Sequence, residues 1–283
     1  MGAVAGRAQG QLVSVRVAIA GAGGRMGQAL IEATLAQSDL SLAGALDVAQ
    51  SPFIGRDAGE RIGRQTGVNV TADIPSTLAG CDVLIDFTRP EGTLAHAQAC
   101  AKQSVAFVAG TTGLTATQRA ALEAHARSIA IVFAPNMSVG VNVLVKLVEL
   151  AASRLGSAYD IEVVEMHHKH KVDAPSGTAL LLGEAAAKAQ GTTLADCAVY
   201  AREGATGARK NGAIGFAALR GGDVVGEHTV IFAADGERVE LTHRATSRQT
   251  FAGGALRAAR FVAERRTAGA AGLYDMSDVL GLR

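Results

Sequence analysis

From Val15 onward, short apolar runs alternate with amphipathic ones. "VRVAIAGAGGRMGQALIEATLAQ" predicts a buried strand, a glycine-rich turn and a helix. "LSLAGALD" predicts a second strand, followed by a polar, glycine-rich stretch from Val48 to Gly67. "CDVLIDFTRP" predicts a third strand, stopped by Pro90. "EGTLAHAQACAKQ" reads as helix, "SVAFVAGTTG" as strand and turn, "TATQRAALEAHARS" as helix and "IAIVFAPN" as strand. Apolar strands separated by helices predict a parallel sheet covered on both faces.

In "SVGVNVLVKLVELAASRL" the polar residues Asn142, Lys146, Glu149 and Ser153 form one narrow stripe, which predicts a mostly buried helix. Beyond it the pattern changes. "DIEVVEM" is a strand and "TALLLGEAAAKAQ" a helix, but "AVYAREG", "IGFAALR", "EHTVIFAA" and "ERVELTHRAT" follow with little helix between them. The last two flank Asp235-Gly236, a hairpin signal. Arg248 to Arg266 is helical again. The chain therefore reads as α/β: a parallel-sheet domain, then an α+β domain with an open, mainly antiparallel sheet.

Composition narrows the partners. The 283 residues are 48% hydrophobic with a formal net charge of +1, and no long basic run exists. Neither nucleic acid nor a membrane surface is implied. No apolar run approaches the span of about 20 residues that a bilayer needs. Cys81, Cys100 and Cys197 are odd in number and lack metal-ligand spacing, which fits a reducing, cytoplasmic setting. Residues 1–14 lack the apolar core of a signal peptide and read as a frayed leader.

The glycine turn offers chemistry. Gly21, Gly24 and Gly27 give G-x-x-G-x-x-G between the first strand and its helix. Glycine allows the tight turn and close backbone approach, and the helix N-terminus offers free N–H groups to a pyrophosphate. Asp47, at the end of the second strand, stands where a ribose-binding carboxylate belongs. Gly110, Thr111 and Thr112, and the run Ala134, Pro135, Asn136 and Met137, fall where strands four and five should end. Ligands of open α/β sheets bind there.

"EMHHKHKVDAPSGTA" supports three readings. A metal site on His167, His168 and His170 is opposed by the interleaved Lys169 and Lys171 and by the lack of a helical histidine pair, so no metal is expected. A solvated basic loop leaves the helix start at Pro175-Ser176-Gly177-Thr178 unexplained. An anion site explains both: Ser176 caps the helix, the amides of Gly177 and Thr178 face a carboxylate, and the upstream histidine and lysine add charge and a proton donor. With a nicotinamide domain before it, this suggests reduction of a small dicarboxylate.

These motifs, with "DVLIDFTRPEGTL", "FAPNMSVGVNVL", "IGFAALRGGDVVGEHTVIF" and "R-x-TFAGGA", resemble the dihydrodipicolinate reductase family across nearly the whole chain. The resemblance implies a Rossmann domain of residues 1–138 plus 248–283, closed by the C-terminal helix. It implies a substrate-binding and oligomerisation domain of 139–247 with a mixed sheet, and a cytoplasmic homotetramer. His167 would be the catalytic acid/base and Lys171 the second catalytic residue, with His168, Gly177 and Thr178 binding substrate. Gly21, Ala22, Gly23, Gly24, Arg25, Met26 and Asp47 would hold the cofactor, with Gly110 to Thr112 and Ala134 to Met137. The family's reaction passes a hydride from reduced nicotinamide to C4 of a cyclic imine, and His167 protonates C3. Many members carry arginine directly after the ribose-binding acid. Here Val48 stands there, which favours NADH, while Arg25 in the glycine turn is long enough to reach the same phosphate, so both NADH and NADPH are expected to serve, with NADH favoured. Two rivals are a related reductase of another small imine or keto acid, and a non-catalytic nicotinamide sensor.

Overall fold

The structure, a computed structural model, describes residues 14–283, so the expected leader lies almost wholly outside the described residues. The strands, in chain order, are β1 (Val15–Ala20), β2 (Leu40–Leu46), β3 (Val70–Thr71), β4 (Val83–Asp86), β5 (Ala106–Ala109), β6 (Ala130–Phe133), β7 (Asp160–His167), β8 (Ala198–Val199), β9 (Ile214–Arg220), β10 (Gly226–Ala234), β11 (Glu237–Ala245) and β12 (Gly272–Tyr274). The helices are α1 (Arg25–Leu35), α2 (Ile74–Leu78), α3 (Pro90–Gln103), α4 (Ala116–His125), α5 (Val139–Leu155), α6 (Gly177–Ala189), α7 (Leu194–Cys197), α8 (Gln249–Thr267) and α9 (Met276–Leu280).

By packing, the chain divides into two units. One runs to Phe133 and takes in Ala255–Tyr274; the other comprises Ala134–Gly254 and Asp275–Arg283. Relative to the boundaries drawn from the sequence, residues 134–138, 248–254 and 275–283 pack with the second unit.

The first unit carries a seven-stranded sheet in the order β12-β6-β5-β4-β1-β2-β3, with every pairing parallel. Strands β4 and β5 are buried along their whole length, as their unbroken apolar runs demand. Ala18, Leu84, Phe107 and Ile131 belong to the core they build. The order reverses direction between β1 and β4, the switch point where open α/β sheets hold ligands at their carboxyl ends. Two elements here escape the apolar pattern, β3 with two residues and β12 with three.

The second unit carries a five-stranded mixed sheet in the order β11-β10-β7-β9-β8. β10 pairs antiparallel with β7 and β11, and β9 pairs parallel with β7 and β8. Gly236, at φ +87°, makes the two-residue turn between β10 and β11. Helices α5 and α6 cover one face, burying Leu144, Val148, Leu182 and Ala186 against Val163, Phe216 and Phe232.

The expectation for α5 needs correction. Its buried stripe is Val141, Leu144, Val148 and Ala152, while Val143, Leu147 and Leu150 are exposed. Asn142, Lys146 and Glu149 are only half-buried because they find partners. Lys146 Nζ donates to Glu149 at 2.8 Å, and Asn142 Nδ2 donates to the carbonyls of Asn136 and Ser138. The helix thus carries a second apolar face that the described residues leave exposed.

Candidate active site

In the first unit, β1 ends at the glycine turn. Gly21 takes φ +71°, and its carbonyl accepts from the Gly24 amide at 2.9 Å. A Cβ on Gly27 would lie 2.1 Å from the Gly21 carbonyl oxygen, so the helix packs on the turn only because glycine stands there. Gly24, the residue before α1, offers no side-chain cap. The first N–H groups of α1 are therefore left for an anion, which fits a dinucleotide pyrophosphate. Asp47 is fixed by three donors: Gly23 N at 2.9 Å, Val48 N at 2.8 Å and Ser51 Oγ at 2.9 Å. A reduced nicotinamide dinucleotide fits these residues, since the open turn, the uncapped helix and the carboxylate share one end of the sheet.

At the ends of β4 and β5 a second cluster forms. Asp86 is fully buried and accepts from Thr88 N at 2.7 Å, while its other oxygen lies 2.8 Å from His96 Nδ1. Thr111 is also buried. Its hydroxyl accepts from Thr93 at 2.7 Å and donates to Asp86 at 3.4 Å. Of the expected pair, Thr112 alone has an exposed side chain, and Thr111 ties its loop to β4. Phe87 lies over Gly110, where a Cβ would fall 2.3 Å from the ring.

In the second unit, the histidine-lysine stretch leaves the end of β7. His167 is its last residue, and its Nδ1 lies 2.6 Å from Glu165 Oε2. Glu165 is 1% exposed and accepts from several donors. Arg220, opposite His167 in the β7–β9 register, grips both of its oxygens at 2.7 and 2.8 Å, and the Ser176 amide donates at 3.1 Å. With Nδ1 turned to the carboxylate, His167 presents Nε2 outward. Gly226 leaves room beside that nitrogen, since a Cβ there would sit 3.1 Å from it. Lys171 Nζ donates to Asp173 at 2.8 Å. His168 is half-buried, with its backbone amide on the Val224 carbonyl at 2.8 Å.

Helix α6 begins as its sequence predicts. Ser176 Oγ accepts from the Ala179 amide, and the same hydroxyl lies 2.9 Å from His228 Nε2. Gly177 is exposed, with nothing within 4 Å of where a Cβ would stand, so its amide can be approached from solvent. Thr178 Oγ1 accepts from Asn136 Nδ2 at 3.0 Å, and Asn136 Oδ1 in turn accepts from the Ser138 amide. Asn136, expected with the cofactor segments, is thus locked to the start of α6.

The electrostatics follow from burial and charge. Burial pushes His167 below the ordinary imidazole range; its bond to Glu165 opposes this, and the charges of Lys171 and Arg220 reinforce it. Burial alone would raise Glu165, but Arg220, His167 and the Ser176 amide outweigh it and keep the carboxylate ionised at lower pH than usual. Burial, aided by the neighbouring His167, takes His228 down to about 4, so it is neutral at pH 7. His167 and His228 meet edge to face with ring centres 5.1 Å apart. The arrangement is a neutral histidine whose Nε2 points away from an ionised support, with Arg220 and Lys171 nearby, each paired with a carboxylate.

Glu165, Arg220, His228 and Gly226 escaped the sequence reading. Glu165 had a findable signal: two residues before His167 on a strand, it shares that residue's face. Arg220 and His228 had none, because the pairing of β9 and β10 with β7 brings them in.

A Rossmann-type sheet with an uncapped glycine turn, joined in one chain to a histidine- and lysine-rich segment that leads into an open helix start, defines a nicotinamide-dependent reductase. The family described as dihydrodipicolinate reductase, N-terminus, matches residues 15–137, and its C-terminus counterpart matches residues 140–280. The chain belongs to the dihydrodipicolinate reductase family. It is 60% identical to the 4-hydroxy-tetrahydrodipicolinate reductase of Burkholderia lata over 95% of this chain and 100% of that protein. It is 58% identical to the Ralstonia nicotianae protein of the same name, with the same coverage. A dipicolinate-bound dihydrodipicolinate reductase from Paenisporosarcina sp. TG-14 shares the fold, with TM-score 0.71 at 24% identity over 93% of this chain and 97% of that one.

The neutral state of His228 makes a stability prediction. Its folded value near 4 lies below the ordinary 6.5, so as pH falls the unfolded chain takes up the proton first. Stability should fall between about pH 6.5 and about pH 4, by up to roughly 3 kcal/mol from this group. In urea titrations across that range, His228→Asn should show a shallower loss than the unmodified protein. Equal slopes would remove His228 from the account.

Proposed function

We propose that the protein reduces 4-hydroxy-tetrahydrodipicolinate to tetrahydrodipicolinate in diaminopimelate and lysine biosynthesis. The observation that carries this reading is His167, held by the buried Glu165 on the strand that leads to the open amides of α6. That pairing of proton donor and carboxylate holder is what a small cyclic dicarboxylate requires, and the relatives at 58–60% identity carry the matching name.

The amides of Gly177 and Thr178, at the positive end of α6, receive one substrate carboxylate. Lys171 and His168 supply positive charge and a hydrogen bond beside the ring. A bound reduced nicotinamide supplies a hydride to C4 of the ring once water has left the 4-hydroxy substrate. His167 then delivers the proton to C3 through Nε2. Because burial and nearby cations hold free His167 low, a dianionic substrate raises its proton affinity on arrival. The proton donor is thus charged by the molecule it serves. Lys171 and the helix start meet the negative charge both in the ground state and as the reaction proceeds.

The finer reading is a cytoplasmic homotetramer using both dinucleotides with NADH favoured. Asp47 beside the neutral, exposed Val48 supports the cofactor preference. The exposed Val143, Leu147 and Leu150 of α5 support burial against further copies of the chain. Loss of reduced-nicotinamide absorbance, with substrate generated in situ by its upstream synthase, tests the activity directly; no turnover above background would refute it.

His167→Ala and Lys171→Ala should each lower kcat by about 10²-fold or more, the usual worth of a positioned acid or base. NADH affinity should stay unchanged, since neither residue belongs to the dinucleotide-binding unit. Near-native turnover in either variant would strip that residue of its role.

Gly177→Val should raise KM while leaving the melting temperature in place, because its side chain enters open space. Pyridine-2,6-dicarboxylate soaked into crystals should place a carboxylate on the Gly177 and Thr178 amides. Ligand density elsewhere, with these amides free, would contradict the assignment.

A further inference from the structure

The glycine turn has a neighbour that the reductase chemistry does not use. Between β2 and β3 the chain makes a long excursion, and its shape is fixed from within. Asp57 accepts from the amides of Gly59 and Gly67 at 2.8 Å, from the Thr66 amide at 3.0 Å and from the Thr66 hydroxyl at 2.9 Å. The Val70 amide donates to the Arg56 carbonyl at 2.9 Å, and the Ala58 amide to the Val68 carbonyl at 2.8 Å. One turn of 3₁₀ helix, Glu60–Ile62, packs against α1. Its middle residue is Arg61.

Arg61 is therefore delivered to one place. Its Nη1 donates to the Gly23 carbonyl oxygen, and its guanidinium lies 4.8 Å from the centre of the Phe53 ring. Phe53 itself rests on Gly23, whose missing Cβ would fall 2.4 Å from the ring and 2.5 Å from Asp47 Oδ2. Gly23 thus joins the two charges: its N–H goes to Asp47 and its carbonyl accepts from Arg61. Asp47 already receives three donors, one from the glycine turn and two from its own loop, and makes no ion pair with Arg61. The guanidinium keeps most of its five N–H groups for something else. Arg25, at the first position of α1, makes no hydrogen bond or ion pair among the described residues, but it is exposed and unanchored.

We infer that Arg61 is a specificity-determining residue that binds a phosphate on the 2′ position of the cofactor's adenosine, supplying the cation that Val48 does not. The inference rests on reading the first unit as a nicotinamide-dinucleotide site. Contact with the Phe53 ring and the bond to Gly23 hold the guanidinium beside the turn, with N–H groups left for two-pronged recognition, the mode in which arginine binds phosphate. A pre-anchored arginine loses less freedom on binding than an unanchored one. NADPH therefore remains a substrate despite the carboxylate of Asp47.

The test is equilibrium binding of NADH and NADPH to the full-length protein without the imine substrate, followed by nucleotide fluorescence. Arg61→Leu, which keeps apolar contact with Phe53, should weaken NADPH by about tenfold or more, as expected for loss of a charge-assisted bond, and NADH by less than about twofold. Arg61→Lys should fall between. The NADPH loss in Arg61→Leu should shrink at high salt, where exposed charges are screened. Equal weakening of both dinucleotides would make Arg61 a clamp on the turn and overturn the inference. An unchanged NADPH affinity would overturn it as well. If the unmodified protein binds neither dinucleotide, the reading of the first unit fails first, and the inference falls with it.

Discussion

The carboxylate of Glu165 is the constraint on which the second unit depends. It is a charge taken out of water inside a sheet, which costs several kcal/mol unless its partners are near ideal. Here Arg220 grips it with two parallel bonds from the next strand, the Ser176 amide reaches it from the loop before α6, and His167 closes the set. Removing any one partner leaves a buried charge less satisfied. Three separate pieces of chain, β7, β9 and the start of α6, are therefore held in a single geometry by one side chain.

That geometry is also the chemistry. A carboxylate facing Nδ1 decides which imidazole nitrogen is left to work, just as a carboxylate bonded to the far nitrogen of a metal-bound histidine does. The same carboxylate holds Ser176 in place, and Ser176 caps the helix whose next two amides are the proposed anion holders. Proton donor and carboxylate holder cannot drift apart, because both hang on Glu165. The neutral His228, edge-on to His167 and bonded to Ser176, fills the space behind them without adding a competing charge.

Much of this was legible in the residues. Unbroken apolar runs gave the buried strands around β1, β4 and β5, and the glycine spacing gave the turn, because both signals are local. Ser176 as a cap was legible for the same reason. What the pattern missed is set by pairing across the chain. Strands as short as β3 have no period to read, and they exist because a longer neighbour already stands beside them. The exposed face of α5 was read as buried, since an apolar residue does not say which surface covers it. The bond of the Thr111 hydroxyl to Asp86 had no local signal either, since it joins the ends of two strands. Arg61 sat unremarked in a polar stretch, because only the Asp57-centred fold of that loop brings it to Gly23.

The central claim is that Glu165 sets up His167 as a neutral imidazole that the substrate's own charge converts into an acid. The most direct measurement compares the pH dependence of kcat/KM, which reports the free enzyme, with that of kcat, which reports the complex. The acid form is the active one, so both profiles should fall as pH rises. The falling limb of kcat should lie at higher pH than that of kcat/KM, and Glu165→Gln, which removes the group that raises His167 in both states, should move both limbs to lower pH while lowering kcat. A kcat limb at the same or lower pH than that of kcat/KM in the unmodified enzyme would contradict it.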